Sequence, residues 1–258
     1  MHTPLCRHAT GEPTAYAARA RELGLAEIGF SDHSPMPRDD FDNWRMRFDQ
    51  LATYVAAVEE ARRNHPSLLI RLGLEVDYIP GQEAWIRHLS GLHPWDYLIG
   101  SVHYVADGWA VDDPSQLSQW KHRRPIEVWT AYFKRLTAAA QSGMFDIIGH
   151  ADLPKKFGIV PTEDCSPLFE TFLTAAAETG VAVEFNTAGL RKDCREIYPS
   201  ETFARRMHAH GIRITFGSDA HAVEEVGASL EDAVALARRV GFTQWTQFSK
   251  RQSTSIPL

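Results

Sequence analysis

The 258-residue sequence is poor in cysteine and has no long apolar run. Its three cysteines, Cys6, Cys165 and Cys194, are far apart and include no CxxC pair. This pattern argues against a disulfide framework, a zinc ribbon or a redox dithiol, and predicts reduced thiols in a cytoplasm. No segment approaches the roughly 18 apolar residues of a membrane span, and the start lacks the pattern of a signal peptide. We therefore expect a cytoplasmic protein with no membrane association.

An excess of positive charge and the common phosphate-binding glycine motifs are also absent. The 27 Lys and Arg against 33 Asp and Glu give a formal net charge of -6, with no block of like charges. That balance argues against a nucleic-acid surface. The sequence contains no GxGxxG or GxxxxGK[ST] loop and no GxSxG nucleophile elbow. These absences argue against nucleotide-binding folds of those two types and against serine hydrolases of the elbow type.

Short apolar runs that end in polar turns alternate with helical patterns. The runs cover 26–33, 68–78, 96–104, 145–152, 181–187 and 212–221, with a possible last strand at 245–248. Helices are predicted over 13–24, 44–64, 125–142, 166–179, 199–210 and 228–239. In the 44–64 helix, Trp44 belongs to an apolar stripe that indicates core packing.

Strands separated by helices predict βαβ units and a mainly parallel sheet. With about 250 residues, one α/β barrel domain over residues 1–258 is favoured. An open, doubly wound sheet remains the alternative, because periodicity does not distinguish the two.

Ionisable residues fall at the ends of the apolar runs. They are His33, Glu75, His103, His150, Asp219 and His221. In a parallel barrel the carboxyl ends of all strands open on one face. His2 and His8 would join them if the chain begins at the top of a shortened first strand. Imidazole and carboxylate are ligands that Zn, Mn and Fe prefer, and eight of them indicate more than one ion.

The other histidines lie in predicted helices or loops, and we expect them to be solvated or structural. They are His65, His88, His93, His122, His208 and His210.

Six motifs in order resemble those of the PHP (polymerase and histidinol phosphatase) superfamily over nearly the whole chain. They are HTPLCRHATG, FSDHSP, GLEVDY, GSVHY, GHADL and GSDAH. The segments GHADLPKKFG and NTAGLRKDCREIYPS, together with LCRHA, are most similar to the histidinol-phosphate phosphatases of that superfamily. The resemblance implies a distorted TIM-like (β/α)7 barrel with up to three divalent metal ions, Zn, Mn or Fe, at its mouth. It also implies that a metal-bridging hydroxide hydrolyses L-histidinol phosphate, a small phosphate ester of histidine biosynthesis.

The resemblance further implies a role for each candidate ligand. One metal would take His2, Glu75 and Asp219, a second Glu75, His103 and His150, and a third His8, His33 and His221. Glu75 would then bridge two ions. The leaving alkoxide would be protonated by an acid near the metals, and Asp219 and His221 are the candidates for this role. Asp32 and Asp152, each beside a ligand histidine, are candidate acceptors for the ring N–H that faces away from the metal.

The first motif departs from the HxH pattern of the superfamily, because the chain starts with Met1 and His2. We expect that the natural protein begins upstream and includes a histidine before Met1, so that the first strand is truncated here.

Basic residues in two loops are candidates for binding the substrate. Arg191 is the first choice for phosphate, followed by Lys192 and Lys156, since a guanidinium fork and an ammonium both bind phosphate oxygens. Glu196 and Tyr198 would shape the loop or contact the histidinol amine. Asp112 and Trp109 would line the opposite side of the pocket.

Three functions remain open from the sequence alone. The first is a histidinol-phosphate phosphatase. The second is a phosphatase, phosphodiesterase or exonuclease-like enzyme that acts on another phosphoester. The third is a metal-binding protein without turnover, because the first motif lacks one histidine.

Overall fold

The apolar runs of the sequence form the strands of the protein. The structure is a computed structural model that describes all 258 residues. Its ten strands are β1 (Glu27–His33), β2 (Leu69–Asp77), β3 (Tyr97–Ser101), β4 (Tyr104–Ala106), β5 (Trp109–Ala110), β6 (Ile147–Ile148), β7 (Ala182–Asn186), β8 (Ile214–Gly217), β9 (Gln244–Ser249) and β10 (Gln252–Pro257).

Six of these strands form one curled parallel sheet in the order β1-β2-β3-β6-β7-β8. Each strand pairs with the next one along the chain in this sheet, as in a (β/α) barrel. The register places His33 of β1 opposite Glu75 of β2, and Asp77 opposite Ser101 of β3. The carboxyl ends of neighbouring strands therefore lie side by side.

Seven α-helices connect and cover the strands. They are α1 (Pro13–Glu22), α2 (Leu51–Asn64), α3 (Glu83–Gly91), α4 (Pro125–Gln141), α5 (Ser166–Thr179), α6 (Glu201–Ala209) and α7 (Leu230–Val240). Proline stands in the first turn of α1, α4 and α5, where no hydrogen bond is lost. Gly180 ends α5 at φ 67°, a left-handed conformation that glycine adopts without strain. No helix combines the length and hydrophobicity needed to cross a bilayer.

The start of the chain lies between the two edges of the sheet. The backbone N–H of Ser31 in β1 donates to the Met1 carbonyl (3.0 Å), and the N–H of His2 donates to the carbonyl of Ala220, after β8 (3.0 Å). Residues 1–3 thus occupy the place of a short first strand. Six parallel strands are therefore observed where the expected barrel has seven, and residues 1–3 bridge the two edges.

The structure confirms the α/β architecture and corrects several elements. The 245–248 run is a strand, but β9 pairs antiparallel with β10 in a separate hairpin outside the barrel sheet. Helix α2 begins at Leu51 rather than at residue 44, so Trp44 is in a loop and not in a helix. Helix α3 and the β4–β5 hairpin were not predicted, because neither segment has a long periodic pattern.

Candidate metal centre

Glu75 is at the centre of a cluster of histidines at the carboxyl ends of the strands. Its Oε1 atom lies 3.0 Å from His150 Nε2 and 3.6 Å from His103 Nε2. Its Oε2 atom lies 3.3 Å from His2 Nε2 and 3.5 Å from His33 Nδ1. A single buried carboxylate therefore faces four imidazoles that come from four separate segments of the chain.

Groups of potential ligand atoms in this cluster lie within 4.8 Å of one another. Two such groups coincide with sets that the family resemblance implies: Glu75 with His103 and His150, and His8 with His33 and His221. In the third set, His2 Nε2 lies 3.0 Å from Asp219 Oδ1 and 3.3 Å from Glu75 Oε2. Two further close groups cross the implied sets: His2 with His33 and Glu75, and His2 with Cys6 and His221. All eight residues predicted as metal ligands therefore converge on one site.

Two of the eight residues have unusual backbone conformations. His150 has φ 26° and Asp219 has φ 48°. Non-glycine residues rarely adopt positive φ, and such strain is concentrated at functional sites. In both cases the strand has just ended, and the turn directs the side chain into the cluster.

Hydrogen bonds on the outer side of several imidazoles set their orientation. His8 Nδ1 donates to the Cys6 carbonyl at 2.8 Å, and His221 Nδ1 donates to the Asp219 carbonyl at 3.0 Å. His103 Nδ1 lies 2.8 Å from Asp77 Oδ1. With Nδ1 held in this way, the Nε2 atom of each ring is free for a ligand.

Some ring nitrogens in the cluster are buried without any hydrogen-bond partner. They are Nδ1 of His33, Nδ1 of His150 and Nε2 of His221. An unsatisfied buried polar atom costs about 1–3 kcal/mol. Coordination of a cation would satisfy such nitrogens, and a mixed set of imidazole and carboxylate donors fits Zn, Fe and Mn. The residues therefore fit divalent metal ions.

Proximity of the charges shifts the pKa values within the cluster. Burial opposes charge on His2, but hydrogen bonds to Asp219 and Asp32 outweigh it and raise the pKa of His2 to about 9. Burial also opposes charge on His103, but the adjacent Asp77 raises its pKa to about 10. Burial disfavours ionised Glu75 too, yet His150 and His103 lower its pKa to about 2. Burial and the neighbouring histidines lower the pKa of His33.

A second layer of carboxylates supports the histidines. Asp32 accepts hydrogen bonds from the backbone N–H of Thr3 and His33, and its Oδ1 lies 3.3 Å from His2 Nδ1. It thus supports His2 rather than the side chain of its neighbour His33. Asp152 does not serve a histidine: its Oδ2 atom lies 3.0 Å from Lys155 Nζ and accepts from the N–H of Ser200.

Sequence reasoning missed the pair that supports His103. Asp77 lies between His103 and the buried Arg45, whose Nη2 donates to Asp77 Oδ2 at 2.9 Å. Arg45 also donates to Asp42 and to the Ser34 carbonyl. The strand period of two was a usable signal for Asp77, because it puts Asp77 on the same face of β2 as Glu75.

A cavity of about 550 Å³ opens in front of the cluster. Lys156, Lys192, Asp112, Tyr198 and Trp44 are among its lining residues. Lys156 Nζ donates to Asp112 Oδ2 at 2.9 Å, whereas the side chain of Lys192 is exposed at the rim. Trp44, predicted to pack in a helix core, instead has its ring edge-on to His33, with the centroids 4.8 Å apart.

Arg191 is outside the lining of this cavity and contacts the loop that carries Asp219. Its Nε donates to Glu225 at 3.0 Å, and its Nη2 donates to the Ser218 carbonyl at 2.8 Å. The other carboxylate oxygen of Glu225 accepts the N–H of His221 at 2.8 Å. Arg191 therefore braces the backbone on both sides of Asp219, and its buried Nη1 has no partner.

Two more candidate residues lie outside the cavity: Glu196, expected to shape its loop or contact the histidinol amine, and Trp109, expected to line the pocket. Glu196 is outside the cavity lining and forms an ion pair with the buried Lys155 at 3.0 Å. Trp109 is buried in the core with Arg123 over its ring, 4.3 Å from the centroid.

Comparison with known proteins identifies the family. The family model of the PHP domain matches residues 1–188 of the chain. The chain is also 42% identical over 243 residues to a probable histidinol-phosphatase of Deinococcus radiodurans, covering 93% of this chain and 92% of the relative. The chain belongs to the PHP domain family. A histidinol-phosphatase of Bacillus subtilis is 29% identical over 255 residues, which cover 90% of this PHP chain and 95% of that protein.

A solved structure has the same fold as this PHP chain. It is the histidinol phosphate phosphatase of Lactococcus lactis, complexed with Zn, L-histidinol and phosphate. The TM-score is 0.85 at 21% sequence identity, and the match covers 98% of this chain and 97% of the other. The likeness confirms the PHP-type barrel over nearly the full length of the chain.

Proposed function

We propose that this PHP protein hydrolyses L-histidinol phosphate to L-histidinol and inorganic phosphate, a reaction of histidine biosynthesis. The observation that carries the proposal is the convergence of eight metal-ligand side chains beside a cavity lined by lysines. The full-length relatives named as histidinol-phosphatases support the choice of substrate. The three free cysteines fit a cytoplasmic location, where thiols stay reduced.

The proposed metal ligands form three sets around Glu75. We assign His2, Glu75 and Asp219 to one ion, Glu75, His103 and His150 to a second, and His8, His33 and His221 to a third. Zn is supported by the L. lactis structure, and Mn or Fe would suit the same donors. Bound divalent ions at such a site acidify water and polarise phosphoryl oxygens.

The residues of the chain would bind and orient the ester. Lys156 and Lys192 line the cavity and would contact the phosphate oxygens, since ammonium groups bind phosphate as point charges. Arg191, the first choice for phosphate from the sequence, lies outside the cavity lining and would instead keep Asp219 in place through its bond to the Ser218 carbonyl. Asp219 and His221, which both line the cavity, are the candidates that deliver a proton to the departing histidinol oxygen.

The test is phosphate release from L-histidinol phosphate after loading with Zn, Mn or Fe, compared with a panel of other phosphate mono- and diesters. We expect selective turnover of L-histidinol phosphate. Glu75→Gln should lower kcat/KM more than about 100-fold, because Glu75 is shared by two of the proposed metal sites. Glu178→Gln, on the exposed face of α5, is the matched control and should retain full activity.

Two outcomes would contradict the proposal. A metal-loaded protein that hydrolyses another ester in preference to L-histidinol phosphate would point to a different substrate. Full activity in Glu75→Gln would place the chemistry outside this cluster.

A further inference from the structure

Three carboxylates line the cavity besides the proposed ligands Glu75 and Asp219. They are Asp112, Asp113 and Glu225. Both oxygens of Glu225 are occupied within the chain, as described above. Asp113 is half-buried, and its Oδ1 accepts the backbone N–H of Ser115 at 2.8 Å, which caps the following 3-10 helix. Asp112 has one partner, the side chain of Lys156.

Asp112 is held close to the metal cluster by the β4–β5 hairpin. The backbone N–H of the preceding residue, Val111, donates to the carbonyl of His103 at 2.8 Å. The side chains of Asp112 and Lys156 are only 19% and 17% exposed. Oδ2 of Asp112 pairs with Lys156, while Oδ1 accepts no hydrogen bond within the chain.

Asp112 is also ionised at neutral pH. Burial opposes its charge, but the attraction of Lys156 and His103 outweighs burial and lowers its pKa. A charged carboxylate with a free oxygen therefore faces the cavity.

The proposed substrate carries two charges of opposite sign a short distance apart. Its phosphate is anionic, and its protonated amine is on the carbon next to the ester carbon, so the two groups are only a few bonds apart. If the phosphate occupies the cluster, the amine must lie within a few ångströms of it, at the adjacent wall. Asp112 occupies that wall, since it lines the same cavity as His103 and His150, next to the Val111 that bonds the His103 carbonyl.

The Lys156–Asp112 pair is complementary to such a substrate. The phosphate would attract Lys156, and the amine of the substrate would replace Lys156 beside Asp112. No buried charge is left unpaired in this exchange, which matters because an uncompensated buried charge is strongly unfavourable.

We propose that Asp112 binds the protonated amine of the substrate and makes the site selective for phosphate monoesters of amino alcohols. This inference rests on the proposed function, because it identifies what recognises the organic part of the same substrate.

The test compares two esters that differ only in the amine. They are L-histidinol phosphate and its des-amino analogue, 3-(imidazol-4-yl)propyl phosphate. Asp112→Asn should lower kcat/KM for L-histidinol phosphate about 10- to 100-fold, because a charge-assisted hydrogen bond is lost. It should change kcat/KM for the analogue less than about threefold. The wild-type enzyme should prefer the amino ester by a similar factor. Asp107→Asn, at the exposed tip of the same hairpin, is the matched control and should leave both rates unchanged.

Each alternative result is decisive. Equal losses on both esters, or no loss on L-histidinol phosphate, would overturn the role of Asp112 and leave the proposed function intact. If Asp112→Asn does not fold, the wild type is used alone, through the ratio of its kcat/KM for L-histidinol phosphate to that for the analogue. A ratio below about threefold overturns the inference. Failure of the metal-loaded wild type to hydrolyse L-histidinol phosphate would overturn the proposed function itself, and this inference with it.

Discussion

At the residue scale, His103 depends on a chain of charged groups that reaches away from the cluster. Asp77 is buried between His103 Nδ1 at 2.8 Å and Arg45 Nη2 at 2.9 Å. Burial opposes its charge, but His103 and Arg45 hold the pKa of Asp77 below its usual range. A carboxylate behind an imidazole fixes the ring and increases its basicity as a ligand. Asp77 and Arg45 are therefore positioning residues for the proposed metal site.

Asp77→Asn should weaken metal binding about 10- to 100-fold, because the neutral amide supports the imidazole of His103 less well than a carboxylate does. It should also lower the free energy of unfolding by roughly 3 kcal/mol, because the buried Arg45 loses one of its two carboxylate partners. Competition with a zinc chelator and denaturant unfolding measure the two effects. Asp49→Asn, whose side chain is 70% exposed, should change neither quantity. Unaltered zinc affinity in Asp77→Asn would show that His103 does not depend on this carboxylate.

At the scale of elements, the segment after β7 forms one wall of the cavity. Asn186 and Tyr198 pair through both backbone hydrogen bonds, at 2.6 and 2.9 Å, and close the loop between them. The buried Lys155 joins this loop to the one after β6, since its Nζ donates to Glu196 and to the Ile197 carbonyl. The two loops that supply Lys156 and Lys192 therefore behave as one packed unit.

Gly189→Ala should disturb this loop, since an added Cβ would lie 2.0 Å from the Glu196 carbonyl oxygen. We expect the free energy of unfolding to fall by about 1–3 kcal/mol and KM to rise, because Lys192 and Tyr198 shift with the backbone. Unfolding curves and steady-state kinetics measure these changes.

The control for this substitution is Gly91→Ala at the end of α3, where no atom lies within 4 Å of the added Cβ. Alanine is also the better helix former, so this variant should be as stable as the wild type or slightly more stable. A Gly189→Ala protein with wild-type stability and KM would show that the loop adapts without effect on the cavity.

At the scale of the whole molecule, the cluster links segments that are far apart in the sequence. The chain start, β1, β2 and the turns after β3, β6 and β8 each supply at least one of the eight proposed ligands, from His2 to His221. A ligand that binds only the folded state stabilises it, by about 4 kcal/mol at a thousandfold excess over Kd. Bound metal should therefore stabilise the barrel as a unit.

Zinc should raise the Tm by about 10 °C at neutral pH, because about 4 kcal/mol of binding free energy stabilises a chain of this size by that amount. This increase in Tm should become larger as the pH rises. The pKa values of His2 and His103 are raised from 6.5 to about 9 and about 10. Their charged forms stabilise the metal-free fold below pH 6.5, and this contribution disappears as the pH rises through about 9 to 10. Zinc binds only the neutral rings, so the affinity for zinc increases as the pH rises.

Thermal unfolding with zinc and with chelator, between pH 6 and 9, measures this difference. Glu75→Gln serves as the control and should show little gain from zinc. A zinc-induced increase in Tm that is the same at all pH values would contradict the expected competition between protons and metal.

Much of the fold and of the candidate site could be read from the local pattern. Apolar runs that alternate with helical patterns depend on short-range periodicity, and so do the positions of His33, Glu75 and His150 at or just after strand ends. Parallel strands bring their carboxyl ends together, so convergence of the eight ligands followed from topology. The PHP motifs added the grouping of those ligands, and two of the three implied sets coincide with groups of ligand atoms that lie within 4.8 Å of one another.

Long-range contacts decided the rest. No local signal shows that Asp112 pairs with Lys156, that Arg45 supports Asp77, or that Arg191 reaches the backbone beside Asp219 instead of the cavity. The partner of a long charged side chain depends on which loops pack together, and loop packing is determined by the whole chain. The sequence therefore determined the type of site and its ligands, whereas only the tertiary structure decided how the surrounding charges are paired.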